Sequence, residues 1–157
     1  MRLRRLAAPL LLSLLFLTGC ANFGHRAPPA EISETRREIV LEALGQIGRP
    51  YRYGGTTPEG FDCSGLARYV YAQSGVDIPR STGEQHAFGK IIDLDEAQPG
   101  DLLFYRFSRR GKVDHVAIFL GEGQAVHAPV NGKKVLVASV SDPAWTKRFV
   151  DAVRVIP

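Results

Sequence analysis

Cysteine is scarce in this chain of 157 residues, which contains only Cys20 and Cys63. Two thiols cannot form the several disulfides that hold small secreted scaffolds together, so the fold must rest on a hydrophobic core. The composition, 45% hydrophobic, suits one domain with a core of ordinary size. A disulfide between Cys20 and Cys63 is the single one that an exported chain of this kind could form.

A strong excess of positive charge is also missing once the first 19 residues are set aside. The formal charge is +4, but Arg2, Arg4 and Arg5 lie in that segment, which contains no acidic residue. The remaining 17 basic residues are balanced by 16 acidic ones and form no cluster. Because nucleic-acid binding usually rests on a concentrated basic surface, we expect no nucleic-acid partner.

The apolar run at residues 6–17 is too short to span a bilayer, which takes about 20 residues. It follows a basic start, as in a secretory signal peptide, and leads into LTGC at residues 17–20, which resembles the bacterial lipobox. The resemblance implies a signal peptide at residues 1–19, a lipidated Cys20 and a flexible tether over residues 20–32. An ordinary signal peptide followed by an incidental cysteine is the alternative.

Lipidation would fix the protein to a membrane, since each buried acyl CH₂ contributes about 0.8 kcal/mol. Ala21 follows Cys20, where an aspartate would resemble the inner-membrane retention signal. The resemblance therefore implies a periplasm-facing protein anchored to the outer membrane of a Gram-negative cell. A lipidated Cys20 has no thiol left for a disulfide, so Cys63 would be a single free thiol in an oxidising compartment, which suggests catalysis.

The stretch at residues 51–71, YRYGGTTPEGFDCSGLARYVY, places Cys63 at the start of a predicted helix. Apolar residues recur at helical spacing after it, Asp62 is a candidate N-cap, and Gly75 is a candidate stop. Unpaired N–H groups and the positive end of the helix dipole lie at such a position and lower the pKa of a thiol. We therefore predict that Cys63 is a nucleophile rather than a buried apolar residue.

Helices are predicted first along the chain and strands second. Residues 33–47 and a short segment with a capping box at residues 81–84 have helical patterns. From Lys90 the apolar period changes to two, which is typical of strands. This order predicts an α+β domain at residues 33–157, with helices packed on a small antiparallel meander. The candidate strands are residues 90–94, 101–107, 113–120, 124–129, 133–140 and 149–156.

Three details of these elements are also predicted. The buried stripe of the first helix is expected to contain Val40, Ala43, Leu44 and Ile47, after a capping box at residues 35–38. The segment at residues 142–148 is expected to be a loop or a helical turn. It contains the single tryptophan, Trp145, for which the sequence indicates no role.

A cysteine nucleophile needs a histidine within hydrogen-bond reach, and the chain has four histidines. His25 lies in the tether, and His86 is expected to face solvent on the short helix. The two remaining candidates, His115 and His127, lie in predicted strands.

The turn at residues 121–123 decides whether the two strand histidines can meet. With three residues in the turn, Ala117 lies opposite His127, which is then diagonal to His115 on the same face, at roughly 7 Å. A two-residue turn would shift the strand pairing by one residue, so the His127 side chain would point to the other face of the sheet. Zinc ligation by Cys63, His115 and His127 is the alternative role for these groups.

Five short blocks carry a family resemblance: YRYGG at 51–55, FDCSGL at 61–66, PGDLLF at 99–104, HVAI at 115–118 and VHA at 126–128. Together they resemble the NlpC/P60 cysteine peptidases, and among these the small lipoprotein murein endopeptidases of Gram-negative bacteria. The resemblance implies a reduced papain-like fold with N-terminal helices on a small antiparallel sheet. It also implies hydrolysis of amide bonds in the stem peptides or cross-links of peptidoglycan.

The resemblance assigns roles position by position. It makes Cys63 the nucleophile, as a thiolate, His115 the general base and His127 the orienting residue. It implies peptidoglycan as the partner and no cofactor or metal, and it does not identify protein partners. Two other functions stay open: an acyl or peptidyl transferase on the same scaffold, and a catalytically degenerate wall-binding lipoprotein. Substrate-contacting positions are Tyr51, Asp62 and Ser64.

Overall fold

The computed structural model of this protein describes residues 32–109 and 111–157. The predicted signal peptide, the lipidation site Cys20 and the tether up to residue 31 lie outside the described residues. Within the described part, no helix is both long and apolar enough to cross a membrane.

Helix α1 (Glu34–Gly45) begins one residue after its cap. The Ser33 hydroxyl accepts a hydrogen bond from the backbone N–H of Arg36 at 3.4 Å, a type of contact that contributes about 1 kcal/mol. The capping box predicted at residues 35–38 is therefore wrong. Ser33 satisfies the helix start, and residue 35 is already helical.

The buried face of α1 is also different from the predicted stripe. Arg36, Ile39 and Ala43 are its buried residues, whereas Leu44 and Ile47 are exposed. The prediction failed because a charged residue occupies one of the buried positions, which a search for apolar periodicity counts as solvent-facing. Arg36 is buried because an aspartate partner compensates its charge, as described below.

Helix α2 (Cys63–Gln73) follows a hairpin of two short strands, β1 (Thr56–Thr57) and β2 (Gly60–Phe61). A methyl group added at Gly65 would lie 2.0 Å from the carbonyl oxygen of Gly55, so only glycine allows this approach. The backbone of the loop before the hairpin therefore rests directly on the first turn of α2. This contact fixes Cys63 relative to the loop that carries Tyr51.

Six antiparallel strands form the main sheet, and all six were predicted. The strands are β3 (Lys90–Ile92), β4 (Leu102–Tyr105), β5 (His115–Gly121), β6 (Gln124–His127), β7 (Leu136–Ser139) and β8 (Phe149–Arg154). Their order in the sheet is β3-β8-β4-β5-β6-β7. The predicted meander holds from β4 to β7, but β8 returns to lie between β3 and β4 and pairs with both. Two short helices complete the fold, α3 (Thr82–His86) and α4 (Pro143–Thr146).

Side chains alternate between two cores, one on each face of the sheet. One face of the strands, including Val116 and Val126, packs on α1 and α2. The opposite face carries Ala117, Phe119 and Ala125 and packs against Trp145 and other aromatic residues of the C-terminal part. His115 and His127 belong to this second face, as their contacts with Trp145 show.

The β5–β6 hairpin has the predicted register, although its turn has two residues and not three. Ile118 pairs with Val126, so Ala117 and His127 are opposite each other as expected. The turn contains two residues, Glu122 and Gly123, with φ of 50° and 70°. A register shift between Phe119 and Gly121 inserts one extra residue into β5. This residue compensates for the shorter turn, so His127 still lies on the same face of the sheet as His115.

Helix α3 begins with the predicted capping box of Ser81 and Glu84. The prediction for His86 is wrong: its Nε2 atom lies 2.7 Å from Asp151 Oδ2 on β8, and its ring packs edge-on against Phe104. A helix of five residues is too short for its sequence to indicate which side faces the sheet.

Candidate active site

Cys63 is the first residue of α2, and its thiol is free and partly buried. Asp62 is the N-cap as predicted, and its Oδ1 atom accepts a hydrogen bond from the backbone N–H of Gly65 at 2.7 Å. The sulfur lies 3.8 Å from Thr82 Oγ1 at the start of α3. The backbone groups of Val116 and Ser64 lie near enough to the sulfur to lower its pKa. The sulfur therefore lies where α2, α3 and the beginning of β5 meet.

The ionisation of Cys63 differs from the prediction. Burial raises the pKa of the thiol, and its hydrogen bonds with Val116 and Thr82 offset this only in part. The helix start was expected to lower this pKa, so the direction of the shift is opposite to the prediction, because loss of water outweighs the helix start. A thiol of raised pKa needs a base to react.

Two of the predicted site residues form a pair of histidines. His115 Nε2 lies 2.9 Å from His127 Nδ1, within hydrogen-bond distance, and both rings are buried. Since Nε2 of His115 is occupied, its Nδ1 atom is the ring nitrogen that is left to act as a proton acceptor. In that arrangement His115 Nε2–H donates to His127, which fixes the tautomer and the orientation of the ring.

Both imidazoles are neutral at pH 7. Burial lowers the pKa of His115 to about 4, and the neighbouring carboxylate of Asp114 opposes this shift only in part. Burial, together with the nearby His115, lowers the pKa of His127 to about 3. A neutral His115 can accept a proton, which an imidazolium could not do.

Trp145 covers the histidine pair. Its ring centroid lies 4.2 Å from that of His127, edge to face at 85°, and 5.4 Å from that of His115. His127 Nε2 is buried in this aromatic environment, and no described residue offers it a hydrogen bond. Trp145, to which the sequence assigned no role, thus keeps water away from the pair and holds the His127 ring in place.

Arg80 binds both Asp62 and Ser64 at the polar side of the site. Its guanidinium group forms a two-pronged ion pair with Asp62, at 2.6 Å and 3.1 Å, and also donates to Ser64 Oγ at 2.8 Å. Asp62 Oδ2 accepts a further hydrogen bond from the backbone N–H of Gly54 at 3.0 Å. The predicted substrate-contacting residues Asp62 and Ser64 are therefore part of one rigid network with Arg80.

A single cavity of about 590 Å³ brings most of the predicted site residues together. Cys63 and His115 both line it, although Cys63 packs with the core on the first face of the sheet and His115 belongs to the second face. His127 lies behind His115 and not at the cavity. The other predicted residues that line the cavity are Tyr51, Asp62 and Ser64.

Three residues at the site were not predicted: Arg80, Thr82 and Trp145. Arg80 and Thr82 lie in the sequence PRST just before and at the start of α3, and a basic residue in a predicted loop was a weak signal for the first. Trp145 lies in α4, whose start is marked by Pro143. A proline at this position indicates that a helix begins, but it does not indicate which face of the sheet the helix covers.

The geometry of the two histidines suits proton transfer. A distance of 2.9 Å between their nitrogen atoms is that of a hydrogen bond and leaves no space for an ion between them. Within residues 32–109 and 111–157, no group of three His, Cys, Asp or Glu side chains could hold a metal ion. A thiol with a neutral, oriented imidazole at one cavity can carry out nucleophilic catalysis.

Comparison with known proteins reveals related cell-wall proteins. The chain is 35% identical over 134 residues to murein DD-endopeptidase MepH of Escherichia coli, with 83% of this chain and 49% of MepH covered. It is 32% identical over 123 residues to gamma-D-glutamyl-L-lysine dipeptidyl-peptidase of Bacillus subtilis, with 78% and 42% covered. The chain thus spans about half the length of MepH, and less of the Bacillus enzyme.

A solved structure with a similar fold is that of RipD from Mycobacterium tuberculosis, described as a non-catalytic NlpC/p60 domain protein adapted to peptidoglycan binding. Its TM-score is 0.67 at 28% identity, with 80% of this chain and all of the RipD chain covered. Residues 48–154, which include Cys63 and both strand histidines, match the model of the NlpC/P60 family. The α+β fold, the order of the site residues and these matches agree, and the chain belongs to the NlpC/P60 family.

Proposed function

We propose that this protein is a cysteine peptidase that hydrolyses an amide bond in the peptide part of peptidoglycan. The observation that carries the proposal is the cavity that Cys63 and His115 both line, with His127 Nδ1 2.9 Å from His115 Nε2. This arrangement supplies a nucleophile, a base and an orienting group, the three parts that nucleophilic hydrolysis needs.

In the first half of the reaction, Cys63 Sγ attacks the carbonyl carbon while His115 Nδ1 takes the thiol proton. Because the pKa of the thiol is raised and that of His115 is lowered, the proton moves during the attack and no stable ion pair precedes it. The carbonyl oxygen becomes an oxyanion, which the backbone N–H of Cys63 at the start of α2 can stabilise.

In the second half, protonated His115 gives its proton to the amide nitrogen, the C–N bond breaks and a thioester remains. Neutral His115 then takes a proton from water, the hydroxide adds to the thioester, and the C–S bond breaks with return of a proton to the sulfur. His127 accepts the hydrogen bond from His115 Nε2–H throughout. Its role is to position the base.

The proposed substrate class follows from the relatives and from the cavity. One relative is named a murein DD-endopeptidase and another a gamma-D-glutamyl-L-lysine dipeptidyl-peptidase, so the two names describe different peptide bonds. The cavity is lined by the polar group of Asp62, Ser64 and Arg80 on one side and by Tyr51 on another, which suits a peptide with charged groups. By analogy with small lipoprotein members of the family, the cross-link is the preferred bond.

The anchor is a second part of the proposal. We propose that Cys20 is lipidated and holds the catalytic domain, residues 33–157, at the periplasmic side of the outer membrane. The LTGC sequence and the absence of an aspartate after Cys20 support this location. Replacement of Cys20 by serine should remove the lipid and release the domain from the membrane fraction. A serine variant that still sediments with membranes would overturn the anchor.

The test of the activity uses the full-length chain in detergent with defined cross-linked and stem muropeptides. Mass spectrometry should show a free amine and a free carboxylate as products, and C63A should produce neither while its circular dichroism is unchanged. Hydrolysis that persists in C63A would overturn the mechanism. A new conjugate in place of the free acid would indicate a transferase, and binding without turnover by the wild type would indicate a binding protein like RipD.

A further inference from the structure

Three large apolar side chains are exposed in succession at the C-terminal end of α1. Leu41, Leu44 and Ile47 are 61%, 38% and 46% exposed. Leu41 and Leu44 are three residues apart and therefore neighbours on the helix surface. The backbone N–H of Ile47 donates to the carbonyl oxygen of Leu44 at 3.2 Å, so the chain is still turning there. Grouped exposed apolar side chains of this kind usually mark a surface that another molecule covers.

Basic side chains adjoin this apolar group. The segment that follows α1 pairs with the segment that ends at Val135, since the Gly48 N–H donates to the Val135 carbonyl oxygen at 2.9 Å and the Val135 N–H donates to that of Arg49 at 2.8 Å. Arg49, Lys133 and Lys134 all have exposed side chains. The α1-end patch is the name used below for the three apolar and three basic residues: Leu41, Leu44, Ile47, Arg49, Lys133 and Lys134.

Acidic side chains are distributed differently along α1. Glu34 and Glu38 are exposed in the N-terminal half of the helix, towards the end opposite the patch. Glu42 is closer to the patch, but it is partly buried and accepts a hydrogen bond within the helix at 2.7 Å. Glu59 lies near enough to Arg49 to interact with its charge. Positive charge is therefore reduced at the patch but stays in excess there.

Apolar and basic side chains side by side suit the surface of a membrane that contains anionic lipid. The basic groups bind the phosphates of the headgroups, and the apolar groups enter the boundary between headgroups and acyl chains. The anchor proposed at Cys20 would hold the domain at such a surface. A second copy of the chain suits the patch less well, because a symmetric contact would bring the basic groups of both copies together.

The predicted tether is long enough to let the patch reach the membrane. The twelve residues 21–32, between Cys20 and the cap of α1, span at most about 40 Å when extended. Helix α1 has 12 residues, which corresponds to a length of about 18 Å. The tether can therefore extend past the whole helix, so the end of α1 that is farther from the tether can still lie on the membrane.

We propose that the α1-end patch docks on the anionic membrane surface to which the lipid at Cys20 is attached. Its apolar side chains enter the lipid boundary and its basic side chains bind anionic headgroups. This inference rests on the anchor part of the proposed function. It adds that the catalytic domain lies with one defined side on the membrane instead of moving freely at the end of its tether.

Tryptophan fluorescence tests the docking. The full-length chain is produced in a Gram-negative host, purified in detergent and returned to vesicles of phosphatidylcholine and phosphatidylglycerol, with or without bromine on the acyl chains as a quencher. L44W places a tryptophan in the patch, and its emission should decrease by about a third in brominated vesicles, since interfacial side chains reach the acyl boundary. F88W is the matched control, because Phe88 is 49% exposed and lines a cavity that includes no residue of the patch. The wild type gives the background of Trp145.

Charge variants of the L44W protein test the basic part of the patch. The triple variant R49Q/K133Q/K134Q should lose about half of the quenching or more, because each basic group near an anionic surface favours binding. The same loss should occur for L44W itself in vesicles of phosphatidylcholine alone. R68Q/K90Q/K147Q is the matched control, since it removes three exposed basic residues outside the patch, and it should keep the quenching.

Flotation of the vesicles separates failure of the anchor from failure of the docking. A chain that floats with the vesicles while L44W is not quenched is anchored but not docked, which would overturn this inference alone. A chain that does not float would overturn the anchor and the docking together. Equal quenching of L44W and F88W would show contact without a defined side. Concentration-dependent dimers in detergent, together with unquenched L44W, would assign the patch to a second copy of the chain.

Discussion

Two buried polar clusters lie at opposite ends of β4 and show different uses of buried charge. At one end, Asp101 is fully buried between Arg36 and Arg154, with N–O distances of 2.9 Å to both. At the other end, His115 lies opposite Tyr105 and is bonded to His127. The first cluster holds formal charges, whereas the second is neutral at pH 7.

The hydrogen-bond partners explain the difference. Both carboxylate oxygens of Asp101 are occupied, one by Arg36 and the other by Arg154 and the backbone N–H of Gln98. Arg36 in turn donates to the carbonyl oxygens of Pro99, Ile156 and Pro157. This cluster joins α1, the start of β4 and the C-terminal segment, so we infer that it serves stability.

The histidine pair is not satisfied in the same way. His127 Nε2 has no hydrogen-bond partner among the described residues. Leaving a buried polar atom unpaired destabilises the fold by about 1–3 kcal/mol. The comparison therefore suggests that the pair is retained for catalysis and the Asp101 cluster for folding, and the predictions below test this contrast.

The largest expected effect is on activity, from H115Q. Glutamine keeps a polar side chain of similar size but cannot accept and return a proton, so kcat/KM should decrease roughly 10⁴-fold. The free energy of unfolding, measured by urea denaturation, should not decrease by more than about 1 kcal/mol. H86Q is the matched control, because His86 pairs with Asp151 away from the cavity. A decrease below tenfold in H115Q would contradict the assignment of the base.

The next largest effect is on stability, from D101N. Loss of one buried charge leaves two arginines without full compensation, and the free energy of unfolding should decrease by about 3–5 kcal/mol. The folded fraction should keep nearly normal kcat/KM, since Asp101 does not line the cavity. D95N, on an exposed turn, should change stability by less than about 0.5 kcal/mol. An unchanged free energy of unfolding in D101N would contradict the assignment of the Asp101 cluster to stability.

The same two regions show what the sequence could predict. The position of Cys63 was predicted correctly because its signals are local: an N-cap at Asp62, helical spacing and a nearby stop. The role of Arg36 was missed because its partners, Asp101 and the C-terminal carbonyl groups, are distant in sequence. Sequence periodicity predicts which elements form, but it cannot predict which charges are compensated after folding.

The histidine pair lies between these cases. Its geometry was predicted from strand alternation, and the observed register confirms it. The three-residue turn on which this geometry was made to depend is not needed, because a two-residue turn and one extra residue before Gly121 leave His127 on the same face. The raised pKa of Cys63 was not predictable, since it depends on how the sheet and α3 enclose the sulfur.

A smaller effect on activity is expected at His127, which acts through His115. H127L removes the acceptor for His115 Nε2–H, and the misplaced ring should decrease kcat by about 100-fold. H127N restores an acceptor and should recover at least tenfold of that loss, which a merely space-filling role would not explain. Equal losses in H127L and H115Q would contradict the positioning role.

The smallest expected effect is the response to mild acid. Because burial lowers the pKa of His115 to about 4, about 90% of this base stays neutral at pH 5, compared with about 3% for an ordinary imidazole of pKa 6.5. The value of kcat/KM should therefore change less than twofold between pH 7 and pH 5 and decrease below about pH 4.

The same shifts predict a loss of stability in acid, which must be measured separately. Both histidines have a lower pKa when folded than when unfolded, so the unfolded chain binds more protons below about pH 6.5. The free energy of unfolding should thus decrease as the pH falls from about 6.5 towards 4, and the decrease should be smaller in H127N. If activity instead halves near pH 6.5 while circular dichroism is unchanged, His115 is an ordinary exposed base, and the contrast with the charged Asp101 cluster loses its physical basis.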